Sequence, residues 1–261
     1  MPNTKSCAFI RYSIAFALWI HLTGCVTSGT ISSSEELNFK GMLSRESIDR
    51  LKVEARNMPN LQWLVVDSVG GDAMLGMELG DWIADRGLNV RVRHICGSAC
   101  ANYIFTAGRQ KIIERGALVA WHGSAQQSML RNQLASDLDA YMAELIESDA
   151  RVRAMSVGER EVIKTLKEKE IEEGVASLIR REKRFFKRIG VSACIALIGQ
   201  VTGKAQGFWY MSVADMARFG VNGVTTPGDY VADIGDEFKS KAGISLIEIT
   251  DADMQHCPDA K

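Results

Sequence analysis

Apolar residues along this chain follow two rhythms that take turns. Trp63-Leu64-Val65-Val66 is an unbroken apolar run before Asp67, the pattern of a parallel strand covered on both faces. Glu36 to Leu43, Asn89 to Ile95, Lys111-Ile112-Ile113 and Leu118 to Trp121 read as further strands. Between them, apolar residues fall at helical spacing. Ile48, Leu51 and Ala55 follow a capping Ser44, and Leu75, Leu79, Trp82 and Ile83 share a face between Asp72 and Asp85. A third helix is expected from Ala99 to Ala107, and the last two strands lie across the Glu114-Arg115-Gly116 turn. The order β-α-β-α-β-α-β-β predicts an α/β fold with a mostly parallel sheet and helices on its faces.

The texture changes between about residues 127 and 190. Leu130, Leu134, Leu138, Tyr141 and Leu145 step at helical spacing, and Glu159 to Lys187 is dense in mixed charge. This stretch reads as a helical insert with a solvated face and i,i+4 pairs; a role as an oligomerisation arm is compatible with that. Trp209-Tyr210-Met211 resumes the apolar pattern. Ser212 caps a helix with Asp215 in capping-box position, Gly220 closes it, and Val221 to Val224 returns to the sheet. Beyond residue 242 a peripheral strand and a loose end are expected.

In sheets of this kind, sites form at the carboxyl ends of strands. Three clusters fall there: Gly70-Gly71, Cys96-Gly97-Ser98-Ala99-Cys100, and Trp121-His122. Glycines bare backbone amides, a serine between small residues can present its hydroxyl, and a histidine can take the proton. Together they are the equipment of nucleophilic acyl transfer. Ser98 and His122 are the candidate nucleophile and base. His94, inside a strand, reads as a structural histidine, Asp72 as a helix cap, and Trp63, Trp82 and Trp121 as core.

The N-terminus changes the setting. Lys5 and Arg11 precede the apolar run Tyr12 to Ile20, which is too short to span a bilayer, and Leu22-Thr23-Gly24-Cys25 follows. Residues 1–24 read as a secretory signal of lipoprotein type, with Cys25 as the lipidated new N-terminus, and 25–35 as a polar tether. The domain then spans 36–242 and a tail 243–261. Without residues 1–24 the chain carries 29 basic and 32 acidic side chains, net −3, which offers nothing to nucleic acid. Four cysteines remain for an oxidising compartment: Cys96, Cys100, Cys194 and Cys257. A bond between Cys96 and Cys100 is expected to strain the turn at Ser98, so packing is favoured for at least one of them. No cysteine or histidine spacing suits zinc.

Residues 38–124 and 208–224 resemble the proteolytic subunit of the Clp protease within the ClpP/crotonase superfamily, and most of all its exported serine peptidase relatives. Phe39-Lys40-Gly41 resembles the family's opening strand. Asp67-Ser68-Val69-Gly70-Gly71 resembles its Asn-Ser-Pro-Gly-Gly turn, with Val69 in place of proline. Cys96 to Cys100 resembles its nucleophile turn, Ala120-Trp121-His122 its strand-ending histidine, and Met211 to Val221 its Leu-Ser-Ala-Pro-Glu-Ala to Tyr-Gly-Leu helix.

The resemblance implies a β-α-β spiral with Ser98 as nucleophile and His122 as general base. The amides of Gly70 or Gly71 and of Ala99 would form the oxyanion hole. It implies no metal or cofactor, a peptide or unfolded-protein substrate, and self-association. The family's triad aspartate falls at Phe208, and no carboxylate lies between Gln200 and Ser212. Gln206, an acid of the insert (Asp137, Asp139 or Asp149), or a Ser–His dyad are the substitutes; lost activity is the other outcome. Val26 after Cys25 is similar to lipoproteins sorted to the outer membrane. Outside the cytoplasm there is no ATP, so no unfoldase partner is expected. The competing functions are a scaffold that has lost turnover and a crotonase-type acyl-CoA enzyme, which export argues against.

Overall fold

The structure is a computed structural model that describes residues 35–240 and 243–257, with backbone alone for 35, 128–133 and 135. The expected signal peptide, Cys25, most of the expected tether and the last four residues lie outside the described residues. The chain builds β1 (Glu35–Lys40), α1 (Arg45–Ala55), β2 (Leu61–Ser68), α2 (Ala73–Arg86) and β3 (Asn89–Gly97). A π-helix, Cys100–Phe105, then leads to β4 (Lys111–Ile113) and β5 (Leu118–Ala120).

Local chemistry sets these boundaries. Ser44 caps α1 in a capping box with Ser47, Asp72 caps α2 by accepting from the Leu75 N–H, and Gly87 ends α2 in the left-handed region. Every ladder of the main sheet is parallel, in the order β1-β2-β3-β4 and then β7 (Val224–Thr225), with β5 also on β3. The α/β class with a mostly parallel sheet is therefore as the sequence predicts.

One topological detail differs. The turn at Glu114-Arg115-Gly116 does not pair its flanking strands. β4 lies along the first half of β3, from Val90 to Val92, and β5 along its end, from Ile95 to Gly97. A long β3 can host both because the short strands occupy successive stretches of the same edge. This lengthens β3 to Gly97 and carries the chain to Ser98.

The insert consists of α3 (Ser128–Ser148), α4 (Ala150–Ala154) and α5 (Val157–Ile189). Leu138 and Met142 of α3 and Val152 of α4 are buried, while the first half of α5 is exposed, as expected, with Val157, Val162 and Leu166 open to solvent. The last turns of α5 are not a solvated face. Phe185 and Phe186 are buried in the core, and Arg181 and Arg188 reach Asp81 and Asp85 of α2.

After α6 (Ile198–Val201) come β6 (Phe208–Tyr210), α7 (Val213–Arg218) and β7 (Val224–Thr225). Ser212 caps α7 with Asp215, as its spacing predicts. Two short helices, α8 (Tyr230–Asp233) and α9 (Asp236–Lys239), precede β8 (Ile244–Leu246), which pairs with β6 in parallel, and α10 (Asp251–Met254).

The tail is not loose. A disulfide ties Cys257 to Cys194, Arg218 pairs with Asp251 at 2.5 Å, and Lys204 pairs with Asp253 at 2.5 Å. Its apolar Ile247 and Ile249 are buried. Among the described residues no helix is long and apolar enough to cross a membrane. Trp121 is fully buried, while Trp63 and Trp82 are partly covered and each lies under an arginine, Arg91 and Arg86, at 5.2 Å.

Candidate active site

The chemistry begins where β3 stops. Ser98 turns the chain from strand to helix at φ 51°, the one non-glycine residue with positive φ among the described residues. A Cβ in that region carries strain of about 1–3 kcal/mol, and such strain collects at functional sites. The surroundings hold it there. The Ser98 N–H donates to the Ala120 carbonyl at 2.9 Å, and its own carbonyl accepts from the Asn102 N–H at 2.9 Å. With both backbone groups fixed, Ser98 is held in the wall of a cleft.

A disulfide joins Cys96 to Cys100 around this serine. This overturns the expectation that one of them packs as a thiol. The turn at Ser98 folds the first helical residue back over the strand end and brings the two Cα atoms to 5.2 Å, an ordinary disulfide span. The bridge matches the turn and does not oppose it.

Gly70 and Gly71 meet the same turn from β2. Both have positive φ, 99° and 145°, a region glycine enters without penalty. A Cβ on Gly70 would stand 2.6 Å from the Gly97 oxygen and 2.9 Å from the Ala99 nitrogen. Two clusters about 27 residues apart in sequence thus touch backbone to backbone. Gly71 bridges to Leu43. Among the described residues the N–H groups of Gly71 and Ala99 donate to no group of the chain.

His122 follows β5. Its carbonyl accepts from Gln200 Nε2 at 3.2 Å, and the next carbonyl, of Gly123, accepts from Asn102 Nδ2 at 2.7 Å. Its ring stacks on Phe208, with centroids 4.4 Å apart and planes at 22°. Desolvation by that packing pushes the imidazole pKa below 6.5. Ser98, His122, Gly71 and Ala99 line one cleft of about 170 Å³. Among the described residues Ser98 and His122 share this cleft without a direct hydrogen bond.

Phe208, the position to which the resemblance assigns a triad aspartate, does reach His122, but it presents the face of its ring. Among the described residues no carboxylate bonds the imidazole. Gln206 and Asp137 are exposed, Asp139 pairs with Lys164 and Asp149 with Arg151. His94 lies in β3, as expected, with its side chain exposed and its ring 5.1 Å from that of Phe238. Among the described residues no cluster of His, Cys, Asp or Glu could hold a metal ion.

The wall opposite comes from residues the sequence reading passed over. Glu182 of α5 is fully buried and accepts from the Tyr103 hydroxyl at 2.7 Å and from Gln126 Nε2 at 3.3 Å. Burial first, and the facing carboxylate second, raise the Tyr103 pKa, so the phenol stays protonated and donates. Leu178, one turn before Glu182, lines the cleft. Leu178, Glu182, Phe185 and Phe186 share one stripe at i, i+4, i+7 and i+8. A carboxylate inside an apolar stripe was the signal available. For Asn102 the signal was its place one helical turn after Ser98.

If His122 serves as the base, the acid limb of kcat/KM has its midpoint below pH 6.5, because desolvation disfavours the charged imidazolium and the neutral form persists to lower pH. Phe208→Asp sets a negative charge where the aromatic face now lies. It favours imidazolium and moves that midpoint upward. A pH–rate profile of both proteins checks the direction; a limb that does not move shows that His122 is not the titrating group.

No family model matches this chain, and no curated protein matches it.

Proposed function

We propose that the protein is a serine hydrolase of ClpP/crotonase-like fold, acting on peptides through an acyl-enzyme at Ser98 with His122 as general base. The observation that carries this reading is the conformation of Ser98. A strained serine sits at a strand-to-helix turn, in one cleft with a histidine and beside two unengaged backbone N–H groups. The hydroxyl would attack a carbonyl, the neutral imidazole would take its proton, and the N–H groups of Gly71 and Ala99 would receive the oxyanion. The proton would return to the leaving group, and water would release the acyl chain by the same route. Without an acid on its far side, His122 works in this reading as half of a dyad. The reading also keeps export and lipid anchoring through Cys25, self-association, and independence from an ATPase.

A fluorophosphonate probe tests it. Wild type is expected to label, and labelling is expected to vanish in Ser98→Ala. A folded wild type that takes no label overturns the hydrolase reading. One observation favours a second reading, a binding scaffold that has lost turnover: the imidazole has Phe208 where the family has its acid. Unlabelled, folded wild type is the outcome that selects it.

A further inference from the structure

We propose that Asn102 reads an N–H of the substrate, and that the cleft is therefore built for acylamino compounds, peptides above all, rather than for simple esters. The proposal rests on the hydrolase reading given above. Asn102 lines the cleft one helical turn after Ser98 and is 3% exposed. Its Nδ2 donates to the Gly123 carbonyl at 2.7 Å, which fixes the amide's orientation, since the flipped form would set two oxygens against each other. Its Oδ1 is then closed to solvent and has no hydrogen-bond partner among the described residues. A buried acceptor left in that state costs about 1–3 kcal/mol, so a donor lodged in the cleft gains by filling it.

Three other polar side chains of the cleft already have a partner. The Tyr103 hydroxyl is spent on Glu182, Gln127 Oε1 accepts from Gln200 Nε2 at 3.0 Å, and Ser124 Oγ accepts from the Gln126 N–H at 3.1 Å. Besides the reacting Ser98 and His122, the cleft offers two backbone N–H donors without a partner among the described residues, of Gly71 and Ala99, and one buried amide acceptor, Oδ1 of Asn102. A ligand complementary to this set offers a carbonyl oxygen and, close to it, an N–H. An N-acylated amino acid residue offers both, and its carbonyl is then the one that Ser98 attacks. An acid that carries an ester oxygen in place of that N–H brings a second acceptor to an acceptor.

Two activated esters with the same leaving group isolate the N–H: the p-nitrophenyl esters of N-acetyl-L-alanine and of O-acetyl-L-lactic acid. Wild type is expected to prefer the first in kcat/KM by about tenfold or more, after correction for spontaneous hydrolysis. Asn102→Leu, close in shape and without the acceptor, is expected to bring that preference to about one. Asn102→Asp keeps an acceptor while losing the bond to Gly123, and is expected to retain the preference. Comparing two substrates within each variant cancels any general loss from a loosened Gly123 loop. If wild type and Asn102→Leu turn over both esters with the same ratio, the Asn102 assignment is overturned and the hydrolase reading stands. If wild type turns over neither ester and takes no fluorophosphonate, that reading falls and this one with it.

Discussion

Gly70→Ala is expected to abolish labelling of Ser98 and to destabilise the protein by about 3 kcal/mol or more. Two independent effects add. The residue sits at φ 99°, where a side chain is strained whatever the space around it. The new methyl would also lie 2.6 Å from the Gly97 oxygen and 2.9 Å from the Ala99 nitrogen, and both are backbone atoms that cannot swing aside. Either the β2 turn withdraws from the serine turn or the serine turn deforms. In both cases the Ala99 N–H loses its place beside the hydroxyl. Denaturant unfolding gives the stability change, and fluorophosphonate kinetics on the folded fraction give the other half. A variant that folds and labels at the wild-type rate would show that the contact between the two turns is dispensable.

The contrast with Gly87 explains which parts of this molecule could be read from the chain. Gly87 also has positive φ, 61°, yet a Cβ there would meet nothing within 4 Å. It ends a helix, and a helix end is written locally. Such features were legible: the Ser44, Asp72 and Ser212 caps, the buried β2 strand, and the three clusters at strand ends. These follow from periodicity and turn chemistry within a dozen residues or so.

What was hidden depends on partners distant in sequence. Nothing near Glu182 announces that Tyr103 and Gln126 will donate to it. The charge-rich stretch around it reads as solvated because only the tertiary contact with α2 removes one side from water. The placement of β4 and β5 on successive parts of β3 was hidden for the same reason, since register between parallel strands leaves no mark in either strand alone. The loose tail failed as an expectation because Cys257 is held by a residue 63 positions away. Phe208 is the instructive middle case. Aligning motifs located the residue that meets the His122 ring, while the chemistry of the meeting, stacking instead of a hydrogen bond, required coordinates.

The two disulfides are expected to separate stability from reactivity. Cys194–Cys257 closes 63 residues and Cys96–Cys100 only four. In the chain-entropy account, the longer loop withdraws more freedom from the unfolded state, about 4 kcal/mol against about 2 kcal/mol for the shorter one. Cys194→Ala/Cys257→Ala should therefore unfold at markedly lower denaturant while its folded fraction labels at Ser98 as wild type does, because that bond anchors the tail and touches no wall of the cleft. Cys96→Ala/Cys100→Ala should lose less stability and yet label at least about tenfold more slowly. A loss of 1.4 kcal/mol in holding the serine turn already suffices for that factor. The physical reason is placement. One end of this bond is on β3 and the other on the first residue of the π-helix, so the bond spans the strained φ of Ser98 and the Ala99 N–H together. Denaturant melts and probe kinetics on both double variants give four numbers. If the short bridge proves as silent toward labelling as the long one, the hydrogen bonds of Ser98 to Ala120 and Asn102 hold the serine unaided, and the bridge serves the fold alone.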